Sequence, residues 1–363
     1  MRVMFHSPFA TADANAASGA SRMAVLFRHA LELGGASVIC PALPLTRDGA
    51  GDPEAQVRLK ACAEEAGRDL LAMIADGRMP RPDAWFSYHV YYKAPDWIGP
   101  VVSAALGVPY IVAEGSHAPK RAQGPWRLGH EGASRALASA RVLLAMTAFD
   151  RHCLEQLAPG RVHDFKPFID TTPFEQRTAP RDFGGRLLSV GMMRDDRKRE
   201  SFRLVAEVMR RLPASEFTLS IAGDGKLRRE IEALFRDVGD PGRVRFLGTQ
   251  PHGAIVELMR GSDLFLWPGI GEAYGLTYLE AQACGLPVVG CQNRGVVDVL
   301  RDGETAVLCA PGDADCLASA VLALGREPDR WRDMGLRARD FVHQERSLKT
   351  ASAHLMRLLE AVM

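Results

Sequence analysis

The absences in this sequence narrow it first. No run of about eighteen apolar residues occurs along the 363-residue chain, so no transmembrane helix is expected. The opening Met1-Arg-Val-Met-Phe-His-Ser-Pro8 is too short an apolar run for a secretory signal. Net charge is nearly missing: 45 Lys and Arg against 44 Asp and Glu leave +1, a field that gives no reason to expect nucleic acid, although a local patch still attracts anions. Cysteine is sparse and unpatterned. The seven residues, at 40, 62, 153, 284, 291, 309 and 316, are odd in number and show neither a CxxC pair nor a His-bearing zinc spacing. Reduced thiols are therefore expected, in a cytoplasmic protein that is soluble or at most peripheral at the inner membrane face. No internal repeat stands out.

Short apolar runs alternate with helical periodicity, the mark of parallel sheets with crossover helices. The length exceeds one ordinary core and fits two domains. In the first half, strands are expected at Arg2 to His6, Val38 to Cys40, Ala84 to His89, Tyr110 to Ala113 and Val142 to Met146, with a helix over Ser21 to Leu33 stopped by Gly34-Gly35. Two close prolines and no period mark the stretch from Lys166 to Asp182 as linker. A second unit starts at Arg186-Leu-Leu-Ser-Val190 and continues through strands near Phe217, Val244, Leu264, Val288 and Ala306, with helical periodicity from Asp315 to the end. The resulting division is an N-terminal domain at 1–168, a linker at 169–185, a C-terminal domain at 186–345 and a last helical stretch at 346–363.

The most informative segment is GEAYGLTYLEAQACGLPVV, from Gly271 to Val289. It follows the strand-like run Asp263 to Pro268 and precedes Pro287-Val-Val-Gly290, so a Gly-bearing loop and a helix N-terminus lie between two parallel strands, as in the ligand crevice of a doubly wound sheet. The free N–H groups and positive dipole end of a helix opening near Gly275, Leu276 and Thr277 suit a diphosphate, with Gly275 letting the backbone come close. Carboxylates would only repel that diphosphate, so their partners are the hydroxyls at its ends. Glu280, one turn into the helix, reads as a ribose acceptor and Glu272, in the preceding loop, as a hexose acceptor. Acids also favour helix N-termini for purely structural reasons.

Glu272 and Glu280 with seven residues between them, followed by Ala and then Gly-Leu-Pro-Val-Val, resemble family 4 of the retaining GT-B glycosyltransferases. Leu219-Ser-Ile-Ala-Gly-Asp-Gly225, containing Gly223, is similar to that family's strand and turn beneath the nucleotide, and Val244-Arg-Phe-Leu-Gly248 to its base-side strand. The stretch from Arg294 to Gly303 resembles its Gly-Gly-x-x-Glu-x-x-x-Asp-Gly run, with Arg294 where the first Gly is usual and Asp298 where the Glu is. The resemblance implies an α/β fold of the GT-B type, two Rossmann-like doubly wound domains facing across a cleft. The donor would bind in the C-terminal domain and the acceptor in the N-terminal one, with the stretch from Ser347 to Met363 crossing back to the first domain.

Further residues carry over from the resemblance. Gly191-Met-Met-Arg-Asp-Asp-Arg-Lys-Arg199 resembles the family's Gly-Arg-(x)n-Lys-Gly phosphate-gripping loop, which places Lys198 by position and Arg194 as the substitute for the missing Arg. A solvated basic turn would read the same way. Gly19, between the first strand and first helix, matches one of the family's two loop glycines, although a helix N-cap at Ser18 or Ser21 fits equally. His117, after the strand at Ile111 to Ala113, matches a His that faces the donor hexose, though a lone His is often simply packed. The basic, aromatic stretch Pro119 to Arg127 would rim the acceptor side or form an ordinary exposed loop.

The expected activity is hexosyl transfer from a nucleoside-diphosphate sugar to a glycan, lipid-linked or small-molecule acceptor, with retention of anomeric configuration. Leaving-group stabilisation falls to Lys198, Arg194 and the N–H groups near Gly275 to Thr277, and the developing charge on the hexose to His117. Neither a cofactor nor a metal is expected; no Asp-x-Asp pattern lies in a donor context, and Asp195-Asp196 reads as loop. Two alternatives remain: a sugar-nucleotide 2-epimerase of the same fold, and a non-catalytic sugar-nucleotide-binding subunit, which the altered Gly191 to Arg199 loop favours.

Overall fold

The computed structural model describes residues 1–10, 19–176, 182–194 and 196–363. They form two units: Met1–Lys166 together with Leu348–Met363, and Pro167–Ser347. Of the stretch 169–185, read as linker from its prolines, the described residues 169–176 and 182–185 lie within the second unit, where Ile169 bridges Ser347.

In the first unit the chain runs β1 (Arg2–His6), α1 (Gly19–Leu33), β2 (Ser37–Ile39), α2 (Pro53–Ala75), β3 (Ala84–Tyr88), α3 (Gly99–Leu106), β4 (Tyr110–Ala113), α4 (Arg127–Ser139), β5 (Val142–Ala145), α5 (Ala148–Leu157) and β6 (Val162–Asp164). All ladders are parallel, in the order β2-β1-β3-β4-β5-β6. Every residue of β3, β4 and β5 is buried. These strands are near-continuous apolar runs because helices cover both faces of a parallel sheet. Local chemistry sets the helix ends. The Asp52 carboxylate accepts from the N–H groups of Glu54 and Ala55 at 2.9 and 3.2 Å ahead of Pro53, and Gly107 takes a left-handed φ of 65° to close α3. The short β6 has too few residues for a periodic signal and was not anticipated.

The second unit repeats the alternation: β7 (Arg186–Val190), α6 (Asp196–Arg211), β8 (Thr218–Ala222), α7 (Arg228–Leu234), β9 (Val244–Gly248), α8 (His252–Gly261), β10 (Leu264–Leu266), α9 (Leu276–Ala283), β11 (Val288–Cys291), β12 (Ala306–Cys309), α10 (Ala314–Arg326) and α11 (Pro328–Glu345). Its parallel sheet is ordered β12-β11-β10-β7-β8-β9, the six-strand order of dinucleotide-binding folds. That order reverses between β7 and β10, so the loops leaving their carboxyl ends diverge and open a crevice there. The last helix, α12 (Leu348–Glu360), belongs to the first unit and packs on α1, where the Ser352 hydroxyl donates to the Ala30 carbonyl at 2.6 Å.

One expectation is corrected. The cysteines are not all reduced: Cys309 and Cys316 form a disulfide with Cα atoms 5.9 Å apart. Cys309 ends β12, and Cys316 lies in the first turn of α10, where its N–H is held at 2.8 Å by the Asp313 cap. A tight strand-to-helix turn thus joins two thiols that carry no recognisable spacing motif. No helix among the described residues is long and apolar enough to cross a membrane.

Candidate functional site

The crevice of the second unit is built from two loops. One leaves β7 at Gly191 and enters α6; the other leaves β10 at Trp267 and enters α9. Lys198, in the first turns of α6, pairs with Glu272 of the second loop and so ties the two sides together. The Trp267 indole N–H also donates to Glu272, at 3.0 Å, and the Lys198 ammonium lies 5.3 Å from the centre of the Trp267 ring. Glu272 is thereby held by a partly buried cation and a fully buried indole, with its side chain still 18% exposed.

The second loop is pinned from several directions. The Tyr278 hydroxyl donates to the Trp267 carbonyl at 2.9 Å, the Asn293 amide to the carbonyls of Pro268 and Gly269 at 2.9 and 3.1 Å, and the Ile270 N–H to the Ser201 hydroxyl at 2.9 Å. Burial, reinforced by the negative Glu272, pushes the Tyr278 hydroxyl well above its ordinary pKa and keeps it a donor. Gly295 makes a contact that no other residue permits, because a Cβ there would lie 1.3 Å from the Ala273 carbonyl oxygen.

The loop ends at Gly275, whose φ of 79° turns the chain into α9, and no side chain among the described residues caps that helix. Leu276 is buried and Thr277 half-buried at this uncapped mouth. The first N–H groups of α9, at Leu276 and Thr277, which an α-helix leaves without an intrahelical partner, therefore coincide with the positive end of the helix dipole at the switch point of the sheet. Glu280, one turn further, is only 3% exposed, and its Oε1 is 3.2 Å from His252 Nε2 at the start of α8. A nearly buried carboxylate beside an anion-favouring mouth is an arrangement for gripping a ligand with both a negative part and hydroxyls.

The remaining expected donor residues fall nearby. Gly191 directly follows β7, and a Cβ on it would come within 2.8 Å of the Trp267 ring. Gly223, after β8, has a φ of 134°, and a Cβ would lie 2.0 Å from the Gly191 carbonyl oxygen, so the two loops touch backbone to backbone. Arg194 is exposed in the loop before α6. The pairing of Lys198 with Glu272 and the contributions of Trp267, His252, Asn293, Ser201 and Gly295 were not foreseen. The Gly at 295 was the only one of these with a sequence signal, standing second in the degenerate Gly-Gly run.

His117 and Gly19 lie in the first unit. Gly19 opens α1, whereas Ser18, the competing cap, lies outside the described residues. His117, in the loop after β4, has its Nδ1 3.3 Å from the Ser134 hydroxyl and its ring 5.4 Å from that of His130. Burial, with a smaller contribution from His130, lowers its pKa and keeps the ring neutral at pH 7. In the Pro119 to Arg127 stretch, the Arg121 guanidinium stacks over Tyr92 and Trp126 at 5.2 and 4.9 Å.

Residues 186–341 match the protein family described as "Glycosyl transferases group 1". Over 137 residues the chain is 36% identical to N-acetyl-alpha-D-glucosaminyl L-malate synthase of Bacillus anthracis, covering 38% of this chain and 35% of that protein. Over 141 residues it is 36% identical to D-inositol 3-phosphate glycosyltransferase of Nocardia farcinica, covering 38% and 31%. These alignments thus span about a third of the relatives' own length. Among solved structures, HepE of Anabaena in complex with UDP superposes with a TM-score of 0.72 over 99% of this chain and 100% of its own, at 16% identity, a likeness of fold alone. The fold is GT-B, with two Rossmann-like parallel sheets in one chain.

Proposed function

We propose, from the premise that residues 186–341 belong to the glycosyl transferases group 1 family, that the protein moves a hexosyl unit from a nucleoside-diphosphate sugar to a hydroxyl acceptor with retention of configuration. The observation that carries this reading is the juxtaposition of the uncapped α9 mouth with the nearly buried Glu280. The diphosphate rests on the N–H groups at Leu276 and Thr277, and Glu280 accepts hydrogen bonds from the ribose hydroxyls. Lys198 exchanges its Glu272 partner for a phosphate oxygen, which turns Glu272 toward the hexose, and Arg194 adds positive charge from the facing loop.

In the transfer step the bond between the anomeric carbon and the phosphate oxygen breaks, and its electron pair leaves with the diphosphate. The acceptor oxygen bonds to the same face of that carbon, and its proton passes to the departing phosphate oxygen. The chain's contribution is electrostatic: preset donors and cations aimed where negative charge develops on the leaving group. Those cations are its own side chains, so turnover should continue in excess chelator.

The test is to incubate the purified protein with a panel of UDP-, GDP- and ADP-sugars in EDTA and follow the anomeric proton signals. Nucleoside diphosphate released with a sugar of retained configuration supports transfer. An epimerised donor supports the 2-epimerase reading, and donor binding without turnover supports the non-catalytic one. Activity abolished by EDTA and restored by manganese would contradict the metal-free scheme. The place of work is proposed to be the cytoplasm, where such donors are made available as soluble nucleotides.

A further inference from the structure

The bond between Cys309 and Cys316 is the one disulfide among the described residues. In the cytoplasm, the compartment proposed above, thiol reductants open such bonds, and those that form there are in the main transient and redox-sensing. The two sulfurs differ in access. Cys309 is 2% exposed at the end of β12, whereas Cys316 is half-buried in the first turn of α10. The positive end of that 13-residue helix favours a thiolate at Cys316 once the bond opens. Cys291, the register partner of Cys309 in the ladder, is buried with its thiol pushed up to about 11, so it stays protonated at neutral pH and competes poorly for the bond.

What the bond holds lies close to the crevice. β12 is a four-residue strand at the edge of the second sheet, and the turn beyond it, Ala310 to Asp313, is exposed. A short edge strand running into an exposed turn is the kind of element that opens first. The bond staples that end to α10, whose Leu317, Val321 and Leu324 are buried in the core. The Cys309 carbonyl accepts from the Gln292 N–H at 2.8 Å, and the next residue is Asn293. Its side-chain amide holds the carbonyls of Pro268 and Gly269, in the loop that carries Glu272. One backbone hydrogen bond and one residue thus separate the disulfide from the group that pins this loop.

We infer that Cys309 and Cys316 form a reversible thiol–disulfide site, whose closed state fixes the end of β12 and, through Gln292 and Asn293, the loop that carries Glu272. In opening, one thiolate of a small dithiol bonds to the accessible Cys316 sulfur. The Cys309–Cys316 bond breaks, and its electron pair leaves on the Cys309 sulfur, which takes a proton. The second thiolate of the reductant then displaces Cys316 and closes the reductant's own disulfide, so the cysteines gain the two electrons that the dithiol loses. Glutathione disulfide closes the bond again by two such exchanges and ends as two glutathione thiols. Tighter nucleotide binding by the closed form rests on the donor reading above; the bond and its hold on the loop do not.

The experiment equilibrates the full chain with glutathione disulfide or with dithiothreitol and compares the two states. Peptide mapping after alkylation in denaturant should find Cys309 joined to Cys316 in the first and both alkylated in the second. Hydrogen exchange across residues 267–275, read by mass spectrometry, should quicken in the open state. The Kd of whichever of UDP, GDP and ADP binds should rise about fivefold or more on opening. By linkage the same nucleotide should lower the midpoint potential of the pair by about 21 mV or more, the fivefold factor converted for two electrons. Cys316→Ser should exchange and bind like the open state and respond to neither reagent; were it to unfold, the two wild-type states still carry the comparison. Both cysteines alkylated after glutathione disulfide, or equal exchange of 267–275 in the two states, overturns the inference. So do equal Kd values in a protein that binds nucleotide. Nucleotide binding in neither state strikes the donor reading instead, and the exchange rates then decide this one alone.

Discussion

Replacing Glu280 by alanine separates ligand recognition from folding, because the structure assigns the two costs to different partners. The Glu280 carboxylate is 3% exposed and its Oε1 is 3.2 Å from His252 Nε2, but the His252 side chain is 44% exposed. Truncation therefore leaves a histidine that turns to water rather than a stranded buried cation, so the His252 pair itself contributes little to the cost, and the urea midpoint of the variant, measured alongside, reports what Glu280's other interactions contribute to the fold. For a bound nucleotide the balance differs. A hydrogen bond to a charged group is worth about 1.5–3 kcal/mol, so Glu280→Ala should raise the Kd of the preferred nucleoside diphosphate roughly 10- to 150-fold. Calorimetric titration with UDP, GDP and ADP measures this, and inorganic pyrophosphate supplies the discriminating control. Pyrophosphate has no ribose, so its affinity should not fall when Glu280 is removed. Unchanged nucleotide affinity, or an equal loss for pyrophosphate, would refute the assignment of Glu280 to the ribose.

Gly295→Ala should disturb the same site from behind, since its Cβ would lie 1.3 Å from the Ala273 carbonyl oxygen and must displace the loop carrying Glu272. The expected outcome is about 1–3 kcal/mol of lost stability with a tenfold or greater rise in nucleotide Kd, and a variant with wild-type melting and binding would contradict it. In the first unit, Asp96 is 1% exposed and accepts from the Ser87 hydroxyl at 2.5 Å, the Tyr110 hydroxyl at 2.9 Å and the N–H groups of Ile98 and Gly99 at 2.9 and 2.8 Å. Asp96→Ala orphans those donors and should destabilise by about 3–5 kcal/mol in urea unfolding; an unshifted midpoint would refute the network. Thiol alkylation at pH 8 should label the exposed Cys62 first and Cys40 after it, because local burial raises the Cys40 thiol's pKa. Burial pushes Cys284 up to about 12 and Cys291 to about 11, so both stay protonated and inert until the chain unfolds, and Cys309 and Cys316 should label only after reduction. Native labelling of Cys284 as fast as Cys62, or of Cys309 without reductant, would count against the structure.

The parts legible in the sequence were the local ones. Alternation of apolar runs with helical period located β1, β4 and β7 to the residue, because strands buried on both faces leave an unbroken apolar signature. The mouth of α9 was readable because a glycine, a helix start and two carboxylates at fixed spacing all fall within one short stretch. His89 was read as the last residue of its strand, and only the backbone dihedral set it apart, since nothing in a linear pattern announces a left-handed histidine.

Tertiary structure decided which distant groups meet. Lys198 and Glu272, separated by 74 positions, meet because β7 and β10 are neighbours in the sheet. The same adjacency brings Trp267 against Gly191, while the return of the chain after β11 seats Gly295 on the Ala273 carbonyl. Cys309 joins Cys316 through the turn from β12 into α10, and Glu114 reaches His89 because β3 and β4 lie side by side. Periodicity and capping act over a few residues and are written in the order of the side chains. Strand order is a choice among packings of the whole chain, and the chemistry of both sites depends on that choice.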